Sequence, residues 1–257
     1  MASKSDQYKV SFIVAIIVIA VIGLFFFEPI PQSPDYHQFA DQRNLGFIPN
    51  AGDVLSNIFF VLVGGLGLYF GLLKTFAGGL PGLHKIYIFL FVGIFLTGFG
   101  SAYYHWSPNN NTLVWDRLPM TIGFMALFAM IIGEQVSEEL AHTLVGPLIV
   151  FGAFSVAYWH FTEQQGQGDL RLYFLVQFLS LFLIAFLLLL YRSPFHSSLG
   201  IWVGLALYAL AKILESLDLA IYNLGLGVSG HTLKHIAAAA AVGSVLWALR
   251  TRQPKTS

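Results

Sequence analysis

The sequence predicts an all-α integral membrane protein: a seven-helix transmembrane bundle plus one additional N-terminal transmembrane helix. Three observations carry this. Charged residues make up only 10% of the 257 and hydrophobic ones 56%, whereas an ordinary soluble domain carries roughly 25% charged residues. The mean hydropathy is +0.72. The apolar residues fall into eight runs near the roughly 20 residues that cross a bilayer, separated by polar breaks. Net charge is zero and no basic tract occurs, which argues against a nucleic-acid partner. The absence of cysteine removes disulfides and thiolate ligands, so any transition metal must be held by histidine or carboxylate.

The first run, 10–27, follows Lys4 and Lys9 like the core of a signal peptide. Its apolar stretch is long and no A-x-A-like site follows, so residues 1–27 read as a retained helix with a short tail. Residues 28–52, rich in Asp, Gln, Asn and Pro, form a polar connection. Seven further spans are predicted at 53–73, 85–106, 117–135, 142–161, 171–191, 199–221 and 229–249, a core covering 53–249, with 250–257 as a tail. There is no internal repeat and no soluble domain. Alternation from a cytoplasmic N-terminus puts Lys4, Lys9, Lys74, Lys85, Arg192, Arg250, Arg252 and Lys255 inside. Only Arg43, Arg117 and Arg171 fall outside, so the positive-inside rule predicts that both termini are cytoplasmic. The 134–139 connection is acidic, and acidic residues contribute little to that rule. In the seventh span Lys212, Glu215 and Asp218 follow i, i+3, i+6 and read as an intramembrane charge group. Lys234, about 100° around its helix from His235, is expected to snorkel to the outer interface.

Under this topology polar residues of several spans share the outer end of the bundle. Asp53, Ser56 and Asn57 open the second span, Ser101 and His105 close the third, Asp116 opens the fourth, and His231 and His235 open the eighth. Polar residues within spans are costly and face a protein interior or a wet cavity. His231 and His235 are i and i+4, one turn apart on one face, the spacing by which H-E-x-x-H binds one zinc. A third histidine from another helix would leave one position for water, as in catalytic zinc sites; iron and nickel remain open. Each residue also has a plainer role. Ser101 can back-bond to a carbonyl. Asp116 can cap the fourth span, with Pro119 in its first turn. Asp53 and Asn57 can be interhelical hydrogen-bond partners. His37, His84, His142 and His196 lie in connections or at span ends, and His160 is the remaining candidate near the outer end.

The segments NAGDVLSNIFF, GSAYYH, LVWDRLPMT and GHTLKH, in this order, resemble the alkaline ceramidases and the wider CREST superfamily of membrane metal-dependent hydrolases, which includes the adiponectin receptors. In that family Ser and His stand four apart, an Asp follows eleven residues later, and the last span carries H-x-x-x-H. Here these are Ser101, His105, Asp116, His231 and His235, in a bacterial-type chain with an extra N-terminal helix. The resemblance implies that the three histidines bind Zn2+, that Asp116 moves the protons of the attacking water, and that Ser101 sits beside the reacting carbonyl. Asp53 or Asn57 would orient a ligand imidazole. The implied activity is hydrolysis of a lipid amide, ceramide or another N-acyl lipid, with release of a fatty acid. The alternative is a non-enzymatic seven-helix lipid receptor with structural zinc. A retinal protein would require a Schiff base on a buried lysine such as Lys212, and two histidines one turn apart cannot take opposite axial positions on a haem. The eukaryotic ceramidases carry a Ca2+ site on an acidic segment before the first core helix. This chain has Asn50 near that point, with Asp35 and Asp41 upstream, so a calcium site is not expected.

Overall fold

Within a bilayer each apolar run must satisfy its backbone hydrogen bonds internally, and each folds as a helix. The computed structural model describes residues 4–255, with side chains from Tyr8 onward; the side chain of Lys4, counted above for orientation, and residues 1–3, 256 and 257 lie outside these. Helix α1 is Lys4–Leu24. Seven helices are long and apolar enough to cross a membrane: α2 (Ala51–Leu72), α3 (Pro81–Trp106), α4 (Asn110–Gln135), α5 (Glu138–Gln164), α6 (Arg171–Leu190), α7 (Leu199–Ser216) and α8 (Gly230–Thr251). The protein is therefore an all-α, multi-pass membrane protein with seven core helices and an extra N-terminal one.

Three differences from the sequence reading bear on the site. Helix α4 starts at Asn110, because Asn109 accepts hydrogen bonds from the backbone of Asn111 and Thr112 while Thr112 Oγ1 accepts from Asn109 N. This reciprocal capping box sets the helix start and places Asp116 nearly two turns inside, so Asp116 is not the cap and Pro119 is not in the first turn. Helix α7 ends at Ser216, and Asp218–Tyr222 is a separate short helix. Helix α2 is interrupted at Asn57, whose amide donates to the Asp53 carbonyl.

Helices α2, α3, α4, α6, α7 and α8 pack in a closed ring, with α5 outside against α4 and α1 against α6. The crossing of α3 and α4 is exceptionally close: a Cβ on Gly100 would run into the Trp115 carbonyl. Pro119, four residues on, supplies no N–H to that carbonyl. At one end of the ring Arg252 forms a buried ion pair with Glu134, to which Tyr87 also donates. Arg252, read above as a tail charge, is thus a structural pin; its partner is 118 residues away and had no local signal.

The opposite end is covered by a strap, residues 28–50. Its Ile30 carbonyl accepts from Leu170 N, Arg43 donates to the Gly227 carbonyl at 2.7 Å, and Asn50 Nδ2 donates to the His105 carbonyl at 2.8 Å. The Arg43 guanidinium also binds both oxygens of Asp41 and holds that carboxyl below its ordinary value of 3.8. Arg171 ties the chain just before the strap to the bundle through the Phe27 carbonyl and pairs with Asp169.

Candidate metal centre

The strap end of the ring holds the histidines. His105 closes α3, and His231 and His235 lie one turn apart at the start of α8, where Ser229 caps the helix by accepting from Thr232 N. The tight fit at Gly230, where a Cβ would meet the Leu214 carbonyl and Asp218, presses α8 against α7. The three imidazoles are at most 5% exposed, and one ligand nitrogen of each lies within 4.8 Å of the others. Nε2 of His105 and Nε2 of His231 are 3.3 Å apart.

These donors fit a metal ion. Nitrogens roughly 2.0–2.1 Å from a tetrahedral zinc lie about 3.3 Å from one another, the separation already present between His105 and His231. His235 Nε2 is buried with no hydrogen-bond partner, an uncompensated position unless a ligand meets it. Its other nitrogen is fixed. Ser56 Oγ donates to the Asp53 carbonyl at 3.1 Å and therefore accepts from His235 Nδ1–H at 2.8 Å, which leaves the Nε2 lone pair free.

Ser101 and Asp116 stand beside the cluster. The Gly100 crossing brings α3 and α4 together there, and the Ser101 hydroxyl lies against the Asp116 carboxylate. Both are buried, and with His235 they line a cavity of about 430 Å³ in the centre of the ring. Deeper in, the wall is apolar, with Leu90, Ile94, Phe124, Leu127, Leu205 and Val245. The helix α6 wall contains a π-helical turn, Leu175–Leu179, a feature frequent near functional sites.

Asp53 accepts from Thr232 Oγ1 at 2.7 Å and Ser229 Oγ at 3.3 Å, and Asn57 bonds to the Asp53 carbonyl. Neither side chain is hydrogen-bonded to a cluster imidazole; Ser56 makes that bond, and Asp53 approaches His235 through its backbone carbonyl. Lys234 does not snorkel. Its ammonium is 2.8 Å from Glu215 Oε1 and 3.0 Å from His231 Nε2, on the cavity wall. Lys212 pairs with the same Glu215, whereas Asp218 turns away to accept from His231 N at 2.7 Å and Ala40 N at 3.0 Å. Because Lys234 keeps Glu215, it can yield His231 Nε2 to a metal without losing its charge partner. His160 bonds Gln164 and His37 bonds Tyr104 and Asn110, both away from the cluster.

The sequence pattern of the ceramidase family matches residues 47–249, the segment that carries the three histidines, Ser101 and Asp116. The chain belongs to the ceramidase family. No curated protein matches it. Family membership, the seven membrane-crossing helices and the three-histidine cluster together support a hydrolase that uses a divalent metal and a membrane lipid substrate.

Proposed function

We propose that the protein is a zinc-dependent intramembrane amidase that hydrolyses an N-acyl lipid and releases a fatty acid. The observation that carries this is the junction of two environments. Ser101, Asp116 and His235 face the same cavity whose depth is apolar. His105, His231 and His235 would hold the metal. A zinc ion there would supply Lewis acidity and lower the pKa of water toward 7.

The chain's own residues would do the rest. Asp116, in the cavity wall, takes a proton from the attacking water and delivers it to the leaving amine. Ser101 donates to the carbonyl oxygen as negative charge develops; losing one such donor costs on the order of 10²–10³ in rate. Ser56 holds His235 in one tautomer. The apolar depth takes the acyl chain. Water adds across the C–N bond, giving a carboxylate and an amine. In this proposal residues 53–249 are the hydrolase core, both termini are cytoplasmic, and the site lies toward the extracytoplasmic side. The positive charges counted above support that orientation.

Metal analysis combined with fatty-acid release from a panel of N-acyl lipids tests the proposal. Wild type is expected to carry about one zinc per chain and to release fatty acid. Asp116→Asn should keep the metal and lose turnover by at least about 10²-fold. An Asp116→Asn protein that turns over like wild type refutes the role given to Asp116, and a wild type that carries the metal but releases no fatty acid from any lipid of the panel favours a receptor with structural zinc.

A further inference from the structure

The mechanism leaves one buried cation unused. Arg117, next to Asp116 on α4, is 5% exposed, yet forms no ion pair with a carboxylate of the described residues. One guanidinium nitrogen, Nη2, donates to Gln32 Oε1 at 2.6 Å, and the other, Nη1, is buried with no partner. The rings of Trp159, Tyr173 and Tyr36 stand 4.4, 4.8 and 5.6 Å from its central carbon. They can satisfy the faces of the guanidinium but not its in-plane donors. The nearby acid Glu163 accepts from Gln32 N and Trp159 Nε1 instead. A buried guanidinium with no directly paired carboxylate and one unpartnered nitrogen is costly, so the arrangement points to an anion supplied from outside the chain.

The cavity gives that anion a place. Arg117 lines it together with Ser101, Asp116 and His235, as do Lys212, Lys234 and Glu215. The wall therefore carries three side-chain cations against two carboxylates, before any metal is added. Being adjacent to Asp116 in the chain, Arg117 lies within reach of a group a few bonds from the scissile amide.

We propose that Arg117 anchors an anionic headgroup, a carboxylate or phosphate on the amine half of the substrate. The planar fork of arginine suits either anion. The proposal rests on the amide-hydrolase reading and narrows its substrate class to acidic N-acyl lipids, of which an N-acyl amino acid is the simplest. Neutral ceramide is then a poor substrate.

Two probes that differ at the headgroup test this: N-dodecanoylglycine and N-dodecanoylethanolamine, with full-length holoprotein in nanodiscs. Wild type is expected to show kcat/KM for the glycine conjugate at least about tenfold above that for the ethanolamide. Arg117→Gln should abolish the ratio, and Arg117→Lys should keep part of it. If the Gln variant does not fold, a fall in the ratio for Arg117→Lys serves in its place. A wild type that prefers neither the glycine conjugate nor phosphorylated N-dodecanoylethanolamine over the neutral ethanolamide, or a preference unchanged in the arginine variants, overturns the proposal. Phosphorylated N-dodecanoylethanolamine distinguishes the two anions, since the true headgroup is the one preferred over the neutral probe.

Binding separates this idea from the hydrolase reading. It is measured as the ligand-induced rise in Tm of Asp116→Asn protein. Selective stabilisation by the glycine conjugate, erased by adding Arg117→Gln, with no hydrolysis by wild type, upholds the anion site and refutes the amidase. Hydrolysis of both anionic probes and the neutral one at equal rates upholds the amidase and refutes the anion site.

Discussion

Replacing Ser56 by alanine removes a single hydroxyl that touches neither the metal position nor the cavity, and should nonetheless weaken metal binding. Ser56 Oγ spends its proton on the Asp53 carbonyl and presents a lone pair to His235 Nδ1 at 2.8 Å. In Ser56→Ala that buried Nδ1–H loses its acceptor, an imbalance of about 1–3 kcal/mol. The ring can answer by rotating or by moving its proton to Nε2, the nitrogen the metal needs. Outer partners of metal-binding histidines typically contribute about 10–100-fold in affinity, which matches that range. Titration of detergent-solubilised protein against a zinc-binding dye should show Kd raised about 10–100-fold. Turnover at saturating zinc should stay within a few-fold of wild type. Affinity unchanged to within twofold in a folded variant refutes the tautomer assignment, and so does turnover lost at full metal load.

Other outcomes follow from the same geometry. Gly100→Ala forces a methyl against the Trp115 carbonyl and should destabilise the protein by about 1–3 kcal/mol; an unchanged Tm in detergent refutes the tight crossing. Arg43 holds the Asp41 carboxyl below its ordinary value. For Asp169, burial pushes upward but the Arg171 hydrogen bonds prevail and lower it as well. Both carboxylates therefore stabilise the fold at neutral and mildly acid pH, and that contribution is lost only as pH falls below about 3.8 through the folded-state values. Proteolysis of the strap should stay slow down to pH 5, and loosening between pH 7 and 5 contradicts this. Because the chain lacks cysteine, single cysteines at Gln167 and Ser197 report orientation. An impermeant maleimide added to intact cells should label Gln167→Cys and spare Ser197→Cys; the reverse pattern inverts the proposed topology.

What the sequence makes legible is whatever depends on helix period and on counting spans. Two histidines at i and i+4 share a face, and an even number of crossings between α3 and α8 returns them to the same end as His105, so the cluster follows from periodicity and topology. What stays hidden depends on which helix stands next to which. Lys234 does point about 100° away from His235, but that direction meets Glu215 on α7 rather than lipid, and a buried carboxylate outweighs the pull of the interface. Ser56 looks like any polar residue at a span end until α2 is seen packed on α8. The capping role considered for Asp116 fails because Asn109 and Thr112 make the stronger cap seven positions earlier. Arg117, counted only as an outer charge, becomes notable once its surroundings prove to be aromatic rings and one amide.

The strap decides from which side the site is reached. Phe39 is buried with its ring 4.6 Å from that of His105 and 4.8 Å from that of His231. Ala40 N and His231 N are bound to the two oxygens of one carboxylate, Asp218, so strap, α8 and the segment after α7 are locked through a single residue. Asn50 fixes the carbonyl end of α3 at His105. Each contact positions a histidine, and together they close the end of the cluster that faces out of the bundle. His105 and His231 accordingly do not line the central cavity, whereas His235 does, with Ser101 and Asp116. Among the described residues, the face of the cluster that meets the cavity is thus the one beside Ser101 and Asp116, to which the proposal gives the amide chemistry. An acyl chain in the apolar depth would bring its carbonyl to that face, and a headgroup beyond the amide would meet Arg117.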